Sequence, residues 1–456
     1  MSAEAVAGDE AYVRHEKIYP REIKGRFATL RRLAVVALLG LYYGLPWLQF
    51  HDRQAVLFDL PARKFYLFGL VLWPQDFIFL TWLLVLAGLS LFFFTALGGR
   101  LWCGFACPQT VWTELFVWIE RFVEGDRARQ MRRDRGPWSA DKLARKAVKH
   151  ALWLLLALWT GLTFVGFFMP MRTLVFEPLA GELAGWALFW TLFYGFATYG
   201  NAGFLREQVC KYMCPYARFQ SAMFDSGTLI VTYDGRRGEP RGPHGRGIDP
   251  RTLNQGDCVD CTLCVQVCPT GIDIREGLQY ECIACAACVD ACDSVMDRVG
   301  SARGLVRFAS LASLEGRPTR VLRPRILVYG ALLSAIALAG LVALVLRPTI
   351  GVDVIRDRNV LYRSTIRGIE NVYTLKILNK DERPHRFDVR VEGLAGLTLE
   401  DGAGPVSVEA GEVGSVPLRV NAAGPEPHGT HAVVFRVTDD SVPPRTASER
   451  SRFIAP

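Results

Sequence analysis

Eight of the chain's twelve cysteines repeat one spacing twice, Cys258-x2-Cys261-x2-Cys264-x3-Cys268-Pro269 and Cys282-x2-Cys285-x2-Cys288-x3-Cys292. A segment this short has too small a core to fold well by itself and must close around metal. Three thiolates spaced by two residues wrap one cluster, while the fourth is carried away by the turn and reaches the other. The spacing predicts two 4Fe-4S clusters with interleaved ligands: Cys258, Cys261, Cys264 and Cys292 for one, and Cys282, Cys285, Cys288 and Cys268 for the other. A zinc ribbon needs only two pairs and would leave the middle cysteine of each copy idle.

The rest of the 456 residues divides between lipid and water. Half of the chain is hydrophobic, yet the mean hydropathy is only +0.18, which suits a mixed membrane and soluble architecture. Five stretches reach the ~20 apolar residues a bilayer requires, near 33–50, 77–98, 151–169, 184–203 and 326–346. The first follows a basic segment with Arg14, Lys17, Arg21, Lys24, Arg26, Arg31 and Arg32 and reads as an anchor, not a removed signal peptide. Residues 99–150 carry eleven Lys or Arg, whereas 51–76 carry three and 170–183 only Arg172. By the positive-inside rule, the N-terminus, the 99–150 loop and the cysteine-rich segment are cytoplasmic, and an odd number of spans places the C-terminal region in the periplasm. The net charge of +8 is thereby a topology signal and not a nucleic-acid footprint. All twelve cysteines fall on the cytoplasmic side of this scheme, where reducing surroundings favour metal thiolates over disulfides.

The remaining cysteines form a second repeat: Cys103-Gly-Phe-Ala-Cys107-Pro108 follows the second span and Cys210-Lys-Tyr-Met-Cys214-Pro215 the fourth. Proline disfavours helix in the residue before it and suits the first helical position. Cys107 and Cys214 are therefore expected at helix N-caps, where exposed N–H groups, reinforced by Arg100 and Arg206, should lower thiol pKa values. If the two hairpins pack as repeats, Cys103, Cys107, Cys210 and Cys214 converge into a soft-ligand site for copper or a further iron-sulfur centre; the alternative is four buried small side chains near turns.

Residues 234–256, rich in Gly, Pro and Arg, read as a linker, and 257–300 as a small α+β dicluster insert of the ferredoxin type. Residues 301–325 form a cytoplasmic connection to the last span. From 351 to 456 there is no cysteine, and alternating runs such as Val372–Leu378 and Ala432–Val437 between Gly and Asp turns predict an all-β immunoglobulin-like sandwich. The expected fold is thus multi-domain: an N-terminal segment 1–32, a helical membrane domain 33–233 holding four of the five spans, the insert, the fifth span and the sandwich. Of the seven histidines, His15, His51, His150, His244, His385, His428 and His431, only His51 and His150 approach span ends, and at opposite faces. No haem relay crosses the membrane, so electrons should stay on the cytoplasmic side and come from another protein or a small reductant. Met169-Pro-Met171 could offer two thioethers to copper at the outer face, but interfacial methionines that fill space are far commoner.

The runs Arg53-Gln-Ala-Val-Leu-Phe-Asp59-Leu-Pro-Ala-Arg63, Trp73-Pro-Gln-Asp76, Gly99-Arg-Leu-Trp-Cys103-Gly-Phe-Ala-Cys107-Pro-Gln-Thr-Val-Trp and Cys210-Lys-Tyr-Met-Cys214-Pro-Tyr-Ala-Arg resemble the cytochrome c oxidase accessory proteins of the CcoG family, also called FixG or RdxA. The resemblance covers nearly the whole chain. It implies a bacterial inner-membrane protein that assists assembly of cbb3-type oxidases by reducing Cu(II) to Cu(I), with the eight cysteines as cluster ligands and Cys103, Cys107, Cys210 and Cys214 at the copper site. Partners would be copper ions, a copper transporter or chaperone, oxidase subunits, membrane lipid and a second copy of the chain. Asp293 departs from the proline that often follows the last cysteine of such motifs. Two other classes stay open: a quinol-oxidising electron carrier feeding a respiratory reductase, and a redox sensor or scaffold without enzymatic activity.

Overall fold

The computed structural model describes residues 17–176, 185–357, 360–366, 368–381, 383–400, 404–422 and 428–456. Arg14 and His15 lie outside them. The chain forms two compact units, one of Met1–Leu48 with Trp82–Ala337 and one of Gln49–Thr81 with Leu338–Pro456.

Among the described residues, four helices are long and apolar enough to cross a membrane: Arg26–Trp47, Pro74–Gly98, Ala140–Val165 and Pro324–Val345. This corrects the expectation of five. The stretch expected to span from 184 to 203 is an α-helix of 14 residues, Gly185–Thr198, that continues as π-helical turns over Tyr199–Leu205. Small residues explain the break. A Cβ on Gly161 would lie 2.3 Å from the Thr191 carbonyl oxygen and 2.7 Å from the Gly195 nitrogen, so this helix and Ala140–Val165 meet backbone to backbone. One turn further, Gly203 lies against the ring of Trp153, which is buried with Phe116, Ala157 and Ala202 and donates Nε1–H to the Phe116 carbonyl at 3.0 Å. The wider π-turns carry the backbone around that indole.

Ile230–Tyr233 and Val306–Ala309 pair as antiparallel strands and close a module that holds all eight repeated cysteines. The stretch 234–256 is part of this module and not a free linker. Arg237 ion-pairs with Asp257 at 2.5 Å and donates to the Arg303 carbonyl at 3.0 Å. The N–H of Gly242 donates to the Cys258 carbonyl at 3.0 Å. Gly256 packs so closely on the Gly238 backbone that no side chain fits. The module is also tied to the first helix. Asp290 accepts the N–H groups of Phe27 and Ala28 at 3.2 and 2.7 Å, satisfying donors that a helix start leaves free, and a Cβ on Gly25 would strike the Asp290 carboxyl at 2.3 Å.

In the second unit, one sheet runs Leu397–Leu399, Val413–Ala422, Gly368–Asn379, Ile350–Arg356, with Arg363–Thr365 added beside Gly368–Asn379; the other runs Val406–Val408, His385–Glu392, Thr430–Asp439, Thr446–Ile454. All pairings are antiparallel. Alternate residues Tyr373, Leu375 and Ile377 of the first sheet pack with Phe387, Phe435 and Phe453 of the second in one core, as an immunoglobulin-like sandwich requires. The loop after the first span belongs to this unit. It folds into a three-stranded sheet, Val56–Asp59, Lys64–Leu67 and Leu70–Leu72. Beyond it, Val71 and Trp73 bury against Leu378, and Asp76 pairs with Lys380 at 3.1 Å and Arg347 at 3.4 Å.

Candidate metal centres

The two motifs share a backbone device. Asp260 and Thr262 flank Cys261 with φ of 51° and 54°, and Ala284 and Ala286 flank Cys285 with 54° and 58°. Left-handed backbone costs ordinary residues ~1–2 kcal/mol each, and its recurrence at matched positions marks a shape imposed by what the cysteines surround. Each loop then enters a helix, Leu263–Gln266 or Ala287–Val299. The first helix stops before Cys268-Pro269, whereas the second runs through Cys292. Asp293 lies inside that second helix, where proline would break it, and it accepts the Gly304 N–H at 2.9 Å.

Cys258, Cys261, Cys264 and Cys292 line one cavity, walled by Tyr233, Val259, Leu263, Val295, Met296, Leu305 and Val306, with Arg275 also in its lining. Cys268, Cys282, Cys285 and Cys288 line a second among Val231, Ile272, Ile274 and Ile283, and Cys264 lines both. Among the described residues no three His, Cys, Asp or Glu groups are gathered as one metal ion would need. Tetrahedral zinc would draw sulfurs to about 3.8 Å of one another; a cubane, with an iron at each bound corner, holds them farther apart. Two largely apolar cavities, each bringing together the four cysteines of one expected ligand set, therefore fit clusters. Burial pushes the free thiols up, Cys264 to about 11 and Cys282 and Cys292 to about 12, so loading with metal must release protons.

The second repeat is also brought together. Cys107 and Cys214 are N-caps of Pro108–Glu124 and Pro215–Ala222, each with proline at the first helical position. Cys103 feels the charge of Cys107, Cys210 and Cys214, and Cys210 that of Cys107 and Cys214. The two thiols of the quartet that stand outside the caps move upward. Burial, with neighbouring thiols adding to it, pushes Cys103 up to about 12 and Cys210 to about 11, and the opposing pull of Arg100 is smaller. Neither capping sulfur accepts a cap hydrogen bond. Arg206 is engaged elsewhere, bonded to Glu120 at 2.7 Å and to the Gly203 carbonyl at 2.9 Å.

Cys103 shares an apolar core with Cys258 and Cys285 and donates Sγ–H to Gln220 Oε1 at 3.3 Å. Gly104 makes this approach feasible: a Cβ there would lie 2.8 Å from the Ile283 carbonyl oxygen and 2.9 Å from that of Ala284. Arg100, 3% exposed, donates to the carbonyls of Tyr280, Cys282 and Ala217, joining both Cys-Pro segments to the second cluster loop. Sequence reasoning placed Arg100 beside the thiols and missed this bridge; the glycine inside Cys103-Gly-Phe-Ala-Cys107 was the available sign of a close approach. Met171 is fully buried and Met169 packs with Val165, Leu174 and Ala187, so the expected outer methionine pair is core filling.

The 4Fe-4S dicluster domain family matches residues 205–311, the 4Fe-4S binding domain family matches 78–124, and the family described as the IG-like fold at the C-terminal of FixG matches 340–456. Protein RdxB of Cereibacter sphaeroides is 43% identical over 87% of this chain and 86% of its own length. Nitrogen fixation protein FixG of Rhizobium meliloti is 39% identical over 85% of this chain and 81% of its own. The chain belongs to the FixG/RdxA family. It is a multi-pass, membrane-associated 4Fe-4S protein with a C-terminal immunoglobulin-like domain. A crystal structure of a FixG-related protein from Vibrio parahaemolyticus is 33% identical, covers 23% of this chain and 95% of its own, and has a TM-score of 0.22.

In this FixG/RdxA chain a buried charge cluster ties the helix Pro108–Glu124 to its neighbours. Glu120 meets Arg206 at 2.7 Å, Lys17 at 2.9 Å and Lys149 at 3.6 Å. Burial opposes its ionisation, but Arg206, Lys17 and Lys149 together outweigh burial and hold it at about 2. A depressed carboxyl stabilises the fold above its unfolded pKa, and that contribution is lost as pH falls through the folded value. Glu120→Gln should cost about 3 kcal/mol. The gap from wild type should be equal at pH 7 and pH 5 and narrow only below about 4.5. Thermal unfolding at those pH values checks this, and a gap that already narrows between 7 and 5 would contradict it.

Proposed function

We propose that this protein is a cupric reductase of the bacterial inner membrane that supplies Cu(I) for assembly of cbb3-type cytochrome c oxidase. Cys258, Cys261, Cys264 and Cys292 would hold one 4Fe-4S cluster, and Cys268, Cys282, Cys285 and Cys288 the other. Bound clusters would provide electrons one at a time. The substrate Cu(II) would be taken by Cys103, Cys107, Cys210 and Cys214, which are not gathered to single-ion spacing in this structure and would have to close on it; it gains one electron and leaves as Cu(I). Soft sulfur favours the reduced ion, and the thiols of Cys103 and Cys210 give up protons as sulfur-metal bonds form. One observation carries this reading: Cys103 is buried in the same core as the cluster cysteines, with Gly104 against the Ile283-Ala284 backbone.

We propose a topology with the metal centres in the cytoplasm and the sandwich in the periplasm. Asp76 holds the loop after the first span to the sandwich, so both belong on one side of the membrane. Cys103 and Cys210 belong on the other, which requires a return crossing after Ala140–Val165. Gly185–Leu205, a 14-residue α-helix continued by π-helical turns and not one of the four long apolar helices, runs antiparallel beside that helix, with Thr191 near Gly161 and Gly203 near Trp153, and we assign the return crossing to it. The excess of basic residues in 99–150 then makes the cysteine side cytoplasmic and the sandwich periplasmic.

Purified protein reduced with dithionite and freed of excess reductant should convert Cu(II) to Cu(I), read by a Cu(I)-specific chelator, and Cys103→Ser with Cys107→Ser should abolish the conversion while iron content stays unchanged. Wild-type rates in that variant would sink the proposal. The 4Fe-4S match over 78–124 favours a second reading, in which the quartet holds a third cluster. Iron analysis separates the two, at about eight irons per chain against about twelve.

A further inference from the structure

The two cysteine cavities differ in the charges around them. Arg31 stands against the Cys285 sulfur, and its Nε is buried without a hydrogen-bond partner. It ion-pairs with Glu114 at 3.5 Å, whose carboxylate is shared with the Trp118 indole at 2.9 Å. Arg100 adds a second buried cation, donating to the Cys282 carbonyl at 3.3 Å and acting on the Cys282 sulfur. The other cavity has Arg275 in its lining, but that guanidinium is taken up by Asp273 at 2.6 Å and by Asp260. Asp273 acts on Cys264 and Asp293 on Cys292. Counting Asp290, which also acts on Arg31, two cations face two carboxylates at the first site, and one cation faces three carboxylates at the second.

A cluster gains one negative charge on reduction, so nearby buried cations stabilise the reduced form and carboxylates oppose it. In a low-dielectric surround these terms are screened little. We propose that Arg31 and Arg100 raise the reduction potential of a cluster held by Cys268, Cys282, Cys285 and Cys288 above that of one held by Cys258, Cys261, Cys264 and Cys292. The electron then rests preferentially at the site whose loop touches Gly104, next to Cys103. Solvent reaches the opposite site, where Cys261 is the exposed cysteine among the twelve, so a donor is met at one end and copper at the other. This inference rests on the ligand sets proposed above.

The test is a potentiometric titration of the full chain in detergent, followed by EPR of the reduced clusters, with iron counted in every sample. Wild type should show two potentials. Arg31→Gln should lower the higher one and leave the lower in place, and Arg31→Lys, which keeps the charge, should stay close to wild type. Cys261→Ser should perturb the low-potential signal and so fix which cluster it belongs to. Two unshifted potentials in Arg31→Gln at full iron content, or equal shifts in both, would overturn the inference while leaving the ligand sets standing. If Arg31→Gln does not hold iron, Arg31→Lys against Arg100→Lys carries the test, and a high potential assigned by Cys261→Ser to the wrong cluster overturns it. Iron unchanged by serine at the cluster cysteines would instead remove the ligand reading itself, and this inference with it.

Discussion

Replacing Cys268 with serine is expected to empty the cavity built mainly by the second cysteine motif, although Cys268 belongs to the first. Iron should fall from about eight to about four per chain, and the surviving EPR signal should be the one perturbed by Cys261→Ser. The reason is the turn at Cys268-Pro269. The helix Leu263–Gln266 ends before it, and Cys268 comes to line the cavity of Cys282, Cys285 and Cys288. Cys292→Ser is the mirror experiment and should spare that cluster while removing the one at Cys258, Cys261 and Cys264. The walls of both cavities are apolar and share one core, so the loss of either cluster should also loosen the module, visible as faster proteolysis within 230–309. If Cys268→Ser instead removed the signal of its own motif, the ligand sets would not interleave.

The second large effect is expected at Asp76, far along the chain from any cysteine. Its carboxylate is 6% exposed and neutralises Lys380 and Arg347, whose side chains are 6% and 8% exposed. Asp76→Ala would leave two buried cations without their counter-charge, a loss of ~3–5 kcal/mol when a buried pair is broken one-sidedly. Asp76→Asn should lie between, since an amide still accepts a hydrogen bond but carries no charge. The measurement is thermal unfolding of the full chain in detergent together with protease sensitivity of 350–456; iron content should be unaffected, because the cluster module belongs to the other unit. An unfolding temperature equal to wild type in Asp76→Ala would show that the triad contributes nothing net.

Cysteine spacing, proline placement and strand alternation are local properties, and the elements they foretold appear where expected: N-caps at Cys107 and Cys214, a cysteine module, and a β-sandwich after the last long helix. Two expectations failed for the same kind of reason. Hydropathy read 184–203 as an ordinary span, but backbone contact through Gly161 and Gly195 and the bulk of Trp153 turned its end into π-helix. Cap position spoke only of Cys107 and Cys214 and said nothing of Cys103 and Cys210, whose burial outweighs the pull of nearby cations. The Gly, Pro and Arg content of 234–256 suggested a linker, because composition does not reveal that Arg237 would find Asp257 and the Arg303 carbonyl.

The sequence by itself determined the chemistry of the eleven-residue cysteine motifs, the soft donor set of the Cys-x3-Cys-Pro repeats, the apolar spans and the family, because each is written in residue types at fixed short spacings. Only the tertiary structure decided what stands next to what: Gly104 against the second cluster loop, Arg31 on Cys285, Asp290 on the first turn of the first helix, and Asp76 between Lys380 and Arg347. Those contacts join residues that lie tens to hundreds of positions apart. Their energies depend on burial and on the distance between charges, and neither quantity exists until the chain has packed.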